Sequence, residues 1–496
     1  MHLEGNEMEK YTAKSTNEEP SQLQDLANPT ECKNINDIGR GLFNKIKPTK
    51  TFIILAFIFG VLFSVIIPPF QAPDEPAHFY RAYQLSGLKI VGEKIEENSG
   101  GYIPKQIVEM TDDLIGGIPA HKENKIATAK IAKYINMKLD LKDIEFTNFK
   151  NTVLYSPILY LPQTLGITIS NALNFPPLWM VYLGRILNLI TFILIVYSAI
   201  KITPICKWGF ALLGLMPMSL ALASSLSADT MGISLSFLLI SLILNYALSE
   251  NKKINGKKVL LLCLLSFLLG LCKLVYIFIP FLFLLIPIKK FSSNKKYFAS
   301  FFTIISCTFI GAVVWYLLVQ NLYSPMLEHI KPHAQMQYML IHPQCFIKVF
   351  LGSFANFFTF HSFVGNLGWL DNSLPTIIVA AYFIVLILCG LTDNNKKISI
   401  NLTQKVTAAI VLFMSILFVD MSMYIFWNKV GNSIIEGLQG RYFIPMSPLF
   451  LIFLYNKNAG KISIINVGGG IFLTLFSLFV LTFTTWMIIN RYYTIL

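Results

Sequence analysis

From residue 51 onward the chain alternates long apolar runs with polar gaps. The runs lie at 51–67, then at about 178–200, 207–225, 228–249, 259–272, 274–288, 297–319, 374–391, 404–426, 441–456 and 462–489. A helix rising 1.5 Å per residue needs about 20 residues to cross a hydrocarbon core roughly 30 Å thick. The pattern therefore predicts an all-α integral membrane protein with about eleven transmembrane helices. One further run, YSPILYLPQTLGITISNAL at 155–173, is interrupted by Pro157 and Pro162 and carries Tyr155 and Tyr160. Prolines and tyrosines at such spacing suit a helix lying in the membrane interface. Counting it as a span would reverse every later loop.

Three longer gaps remain: a polar segment at 68–176 containing the interfacial helices, a second loop at 320–373 and a short one at 427–440. The expected organisation is a disordered tail over 1–46 and one polytopic domain over 47–496. Within that domain the first span (51–67), the large loop (68–176), a helical bundle (177–319), the second loop (320–373) and the C-terminal spans (374–496) follow in order. No soluble domain and no internal repeat is visible.

Composition agrees with the pattern. Of 496 residues, 54% are hydrophobic and only 14% charged, against about 25% charged in soluble domains; mean hydropathy is +0.58. The formal charge of +13 does not point to nucleic acid, because the lysines collect in short gaps: KITPICK, ENKKINGKK, KKFSSNKK, TDNNKK and NKNAGK. Lys-rich short loops mark the cytoplasmic side. The basic stretch Arg40–Lys50 likewise holds the N-terminus inside, the first span acts as an uncleaved anchor, and 68–176 falls outside. The seven cysteines are scattered without metal-ligand spacing and read as buried free thiols.

This sidedness gathers chemistry on one face. PPFQAPDEPAHFYRA (68–82) delivers Asp74, Glu75, His78 and Arg81 just past the first span; Lys273 falls at a turn between two short spans; Arg441 opens another within LQGRYFIP, and Trp369 and Asp371 stand in HSFVGNLGWLDNSLP. Ionisable groups at membrane depth are costly and tend to mark function. An acid beside Pro76 also suits a helix cap, yet a cap needs one acid and here there are two. Asp229, opening the span at 228, reads as a cap. Gly437 and Gly440 give a ligand close access to the backbone beside Arg441. His329 and His333 are four apart, but Pro332 breaks a helix joining them, which argues against a metal site there.

PPFQAPDEPAHFYRA, YSPILYLPQ, GRILN, SSLSADT, GLCK, GNLGWLDNSLP and GLQGRYFIP, in this order, resemble the bacterial domain-of-unknown-function 2142 family over nearly everything from residue 51 onward. The layout of first span, large acidic outer loop and interfacial helices looks more distantly like the GT-C glycosyltransferases. That resemblance implies a transferase of the bacterial cytoplasmic membrane, active on its outer face. It would move a sugar from a polyprenyl-phosphate donor to an envelope polysaccharide or glycolipid. In such a reaction Asp74 is the expected base, with Glu75 its alternative or orienting partner. Arg441, Arg81 and Lys273 are the expected phosphate contacts, with His78 and Asp371 beside them, and Trp369, Tyr155 and Tyr442 offer faces for sugar. Nothing in the sequence requires a cofactor, though Asp74 and Glu75 are oxygen donors of the kind a divalent cation takes. A lipid-linked-sugar flippase or exporter, and a polysaccharide polymerase or ligase, are the competing expectations.

Overall fold

The computed structural model describes residues 46–494, apart from 120, 251–252, 394, 396 and 458–468. The tail expected over 1–46 therefore lies almost wholly outside the described residues, as does most of the NKNAGK gap. Among the described residues six helices are long and apolar enough to cross a bilayer: Pro48–Ile66, Pro177–Ile202, Asp229–Leu248, Asn294–Leu322, Leu402–Trp427 and Gly469–Tyr492. The other expected spans occupy shorter or broken elements. These are Lys207–Leu215 with Pro217–Ala223, Gly256–Cys272, the 3₁₀ turns within 274–285, Thr376–Thr392, and the pair Gly440–Met446 and Pro448–Leu454. Prolines at 217, 280, 445 and 448 explain the breaks, because each removes a helical N–H.

Loop contacts sort the ends of these helices into two groups. In one, Cys206 N–H donates to the Asp393 carbonyl (3.2 Å), Ile254 N–H to Lys290 (2.9 Å), and Gln404 Nε2 to the Leu285 carbonyl (3.0 Å). In the other, Ile126 N–H donates to the Tyr492 carbonyl (2.8 Å), Ser99 Oγ to Leu322 (2.6 Å), and Gly431 N–H to Gln335 Oε1 (2.9 Å). The lysine-rich gaps belong to the first group and the long segment 68–176 to the second.

Two features depart from the expectation. The 68–176 segment carries a small antiparallel sheet, β1 (Glu93–Ile95), β2 (Asn98–Pro104) and β3 (Ile144–Asn148), in the order β1-β2-β3. A Cβ at Gly100 would lie 1.9 Å from the Thr147 carbonyl oxygen, so glycine is required where the strands meet, and it hides the strand pattern in the sequence. The 320–373 loop contains two apolar helices, Pro343–Ser353 and Phe357–Val364, bent by 50° and together long enough for a broken span or a re-entrant loop. The 155–173 run, expected not to span, folds as a short turn and the helix Leu161–Ala172, whose twelve residues are too few to cross a roughly 30 Å core. This helix pairs with Pro177–Ile202 so closely that a Cβ at Gly166 would meet Gly184 N at 2.7 Å. Among the described residues the cysteines are free, four of the six being buried.

Candidate functional site

The stretch after the first span separates its two acids. Chain reversal over 68–74 puts Phe70 at φ 69° and Asp74 at φ 57°, left-handed backbone that costs a non-glycine residue about 1–2 kcal/mol. The turn is held from several sides. Trp369 Nε1 donates to the Phe70 carbonyl (3.2 Å) and Gln71 Nε2 to the Leu114 carbonyl (3.1 Å). Glu75 accepts from Phe70 N–H (2.9 Å) and from Leu226 N–H (3.1 Å), and pairs bidentately with Arg185 at 2.8 and 2.6 Å. The Glu75 and Arg185 side chains are 0% exposed, whereas that of Asp74 is 43% exposed. One letter of PDE is locked into the fold and its neighbour is presented.

Asp74 stands at the N-cap of the helix Glu75–Ser86 but makes no capping bond. Its carboxylate instead accepts from Arg441 (3.1 Å) and from Asn151 Nδ2 (3.3 Å). Arg441, only 4% exposed, also lies 3.7 Å from Asp229 through Nε, an N–H without a hydrogen-bond partner among the described residues. Asp229 pairs with Lys273 at 2.5 Å. The Lys273 ammonium lies 5.0 Å from the Tyr155 ring centre and 5.6 Å from that of Tyr442, within cation–π range. Asp74, Asp229, Lys273, Arg441, Tyr155 and Tyr442 thus form one cluster assembled from five distant parts of the chain.

Each member is positioned by identifiable contacts. Lys273 interrupts the helix Gly256–Cys272 with extended backbone (φ −147°, ψ 132°), which turns its side chain out of the helical register. The SSLSADT turn before Asp229 is tied down by Asn188 Nδ2 to the Ser225 carbonyl (2.8 Å) and Gln163 Nε2 to that of Ser227 (3.0 Å). Arg441 depends on Gly440, whose N–H donates to Ser362 Oγ at 2.8 Å. A Cβ on Gly440 would lie 2.1 Å from the Thr359 carbonyl oxygen and 2.2 Å from Phe363 N. These are backbone atoms of a packed helix and have no room to yield. Gly440→Ala is therefore expected to displace Arg441 and lower ligand binding at the cluster at least tenfold. A variant that binds normally would show the contact to be dispensable.

His78 belongs to the same neighbourhood. Its Nδ1 is 2.7 Å from the Tyr160 hydroxyl, and burial lowers its pKa to about 4, with Asp74 and Asp229 opposing the fall and Arg441 and Lys273 adding to it. The folded chain keeps this imidazole neutral down to about pH 4, while the unfolded chain protonates it near 6.5. Between those values the unfolded state binds more protons, so stability falls as pH falls. Melting temperature should drop on acidification through this window, and His78→Gln should flatten the drop.

Several expected site residues are elsewhere. Arg81 is fully buried and spends its donors on the carbonyls of Tyr155 (3.1 Å) and Ile90 (2.8 Å) and on Gln84, so it clamps backbone rather than facing an anion. Asp371 pairs with Arg491 at 2.6 Å, and Arg491 also donates to the carbonyls of Ile118 and Asn124 at 3.0 Å. Trp369 and Asp371 therefore make their polar contacts in a second knot, behind the Phe70 turn. Gly437 and Gly440 give close approach to Trp427 and to helix 357–364, not to open space. Asp229, expected as a cap, has no side-chain capping role, since Ala228 holds the N-cap position. Its signal was an acid at the start of an apolar run. Arg185 and Asn188, both in GRILN, went unassigned although polar groups inside a span rarely lack a task. Among the described residues no group of three or more His, Cys, Asp or Glu forms a metal cage.

A helical, membrane-embedded bundle with ionisable residues converging at one end defines a polytopic membrane protein. The chain belongs to the family described as a predicted membrane protein, DUF2142, whose model matches residues 57–450. No curated protein and no solved structure matches it.

Proposed function

We propose that the chain is a GT-C-type glycosyltransferase of the bacterial cytoplasmic membrane. It moves a sugar from a polyprenyl-phosphate donor to an envelope glycan or glycolipid on the outer face. The observation that carries the reading is the half-exposed Asp74 carboxylate beside the buried Arg441, whose Nε–H has no hydrogen-bond partner among the described residues. The topology supports it. Counting the short and broken elements as crossings gives eleven, a count under which the positive-inside rule assigns the lysine-rich gaps to the cytoplasmic side and the cluster to the other. On this count helices 343–364 are re-entrant, because Gln335 before them and Asp371 after them both bond to the cluster-side group.

In the proposed step an acceptor hydroxyl gives its proton to Asp74 as its oxygen bonds to the anomeric carbon. The bond from that carbon to the phosphate oxygen breaks, and the phosphate leaves with the electron pair and one additional negative charge. Arg441 and Lys273 face that charge in a site largely shielded from water, where fixed cations act most strongly. Arg's planar fork suits two phosphate oxygens. Asp229 holds Lys273 in place, and Glu75 is assigned to the fold, not to the chemistry. The direct test is purified protein incubated with labelled polyprenyl-phosphate hexose and a crude envelope acceptor fraction. Label should leave the lipid and appear in the acceptor; label that stays on the lipid would favour a flippase and overturn the reading.

A further inference from the structure

The helix Glu75–Ser86 has the charged cluster at its N-cap, Asp74, and something different at its last turn. A cavity of about 590 Å³ opens where its C-terminal end meets the irregular stretch 136–141 and the turn 171–176. That volume falls in the range of about 300–1,000 Å³ typical of small-ligand sites. Its lining combines the amides of Asn136, Asn171 and Asn174 with Tyr83, Lys138 and Phe175, and no carboxylate lines it among the described residues. None of the three side-chain amides has a hydrogen-bond partner within the described chain.

Three free amides offer paired donors and acceptors, which suit the alternating hydroxyls of a saccharide. Phe175 and neighbouring apolar side chains offer surface to the C–H faces of its rings. A phosphorylated or carboxylated ligand would call for several cations, and Lys138 is the one present in this lining. From Asp74 the cavity lies about 15 Å away, ten residues of helix at 1.5 Å each.

We infer that this cavity is a second binding site, for a neutral oligosaccharide, and that it holds the body of the acceptor glycan a few units back from its reacting end. The acceptor role rests on the transferase reading; the glycan's occupancy of the cavity does not. The site would give the protein a preference for chains over single sugars, since a monosaccharide at Asp74 cannot reach it.

The test is binding of a panel of neutral disaccharides to hexasaccharides to the full chain in nanodiscs, followed by saturation-transfer NMR. Two variants probe the cavity independently. Asn136→Ala with Asn171→Ala removes two of the three amides. Gly87→Trp fills the mouth, at a position where an added Cβ meets only the Gln84 carbonyl at 3.6 Å. At least one oligosaccharide should bind, and both variants should weaken it tenfold or more while keeping the wild-type elution profile. Absence of binding across the panel, or binding unchanged in both variants, would overturn the proposal. So would neutral peptides binding in place of sugars. Oligosaccharide binding that survives in a protein unable to cleave the labelled donor would leave this inference standing and remove the transferase reading.

Discussion

Asp74→Asn is expected to abolish sugar transfer while leaving the protein folded. Turnover should fall by about 10²–10⁴-fold, the usual contribution of a positioned general base. Asparagine is close in size to aspartate and is among the residues that best tolerate the left-handed backbone at this position. It keeps a side-chain oxygen for Asn151. The lost ion pair to Arg441 involves a carboxylate 43% exposed to solvent, and pairs of that kind contribute only about 0–1 kcal/mol. Elution profile and melting temperature should therefore match the wild type, which makes the loss of rate interpretable. Near-wild-type turnover would remove Asp74 from the chemistry. The neighbouring acid shows why the choice of residue matters: Asp229→Asn leaves Lys273, 15% exposed, beside a neutral amide, so loss of rate there would be confounded with loss of structure.

How much of this was legible in the sequence depends on how local the determinant was. Apolar run length reports directly on bilayer crossing, so the six long apolar helices were readable. So was the gathering of Asp74, Lys273, Arg441, Tyr155 and Tyr442, because it follows from counting crossings and noting which run ends carry charge. The division of labour between Asp74 and Glu75 was not readable. It is decided by Arg185, 110 positions away, and by the amides of Phe70 and Leu226. Trp369 and Asp371 were drawn into the site by their position before an apolar run, whereas the partner that fixes Asp371 is Arg491 at the far end of the chain. Gly440 was read as room for a ligand. The same absence of a side chain serves helix packing, and only coordinates separate the two uses.

Arg185→Ala should have the largest effect on the fold itself. The guanidinium is buried completely and bonds, besides Glu75, to the carbonyls of Ser64 (2.9 Å), Ile67 (2.6 Å) and Pro68 (3.1 Å). Those carbonyls are at the C-terminal end of the first span, where helical oxygens lack partners and a cation is favoured by the helix dipole. Truncation leaves a buried carboxylate without its cation and the Ser64 and Ile67 carbonyls without their donor, whereas the Pro68 carbonyl keeps the Gln71 N–H (3.2 Å). Breaking a buried pair from one side costs about 3–5 kcal/mol, with further cost for each orphaned acceptor. That is comparable to the whole stability of many proteins. Arg185→Ala should consequently fail to accumulate as a monodisperse species in fluorescence-detected size exclusion, and Arg185→Lys should do little better because a point charge cannot serve both carboxylate oxygens and the carbonyls together. Removing both charges with Glu75→Leu and Arg185→Leu should restore part of the yield, since no unpaired charge remains in the interior. A restored double variant that still lacks Asp74-dependent turnover would separate the two tasks. The pair shapes the Phe70–Asp74 turn, and the turn presents the carboxylate.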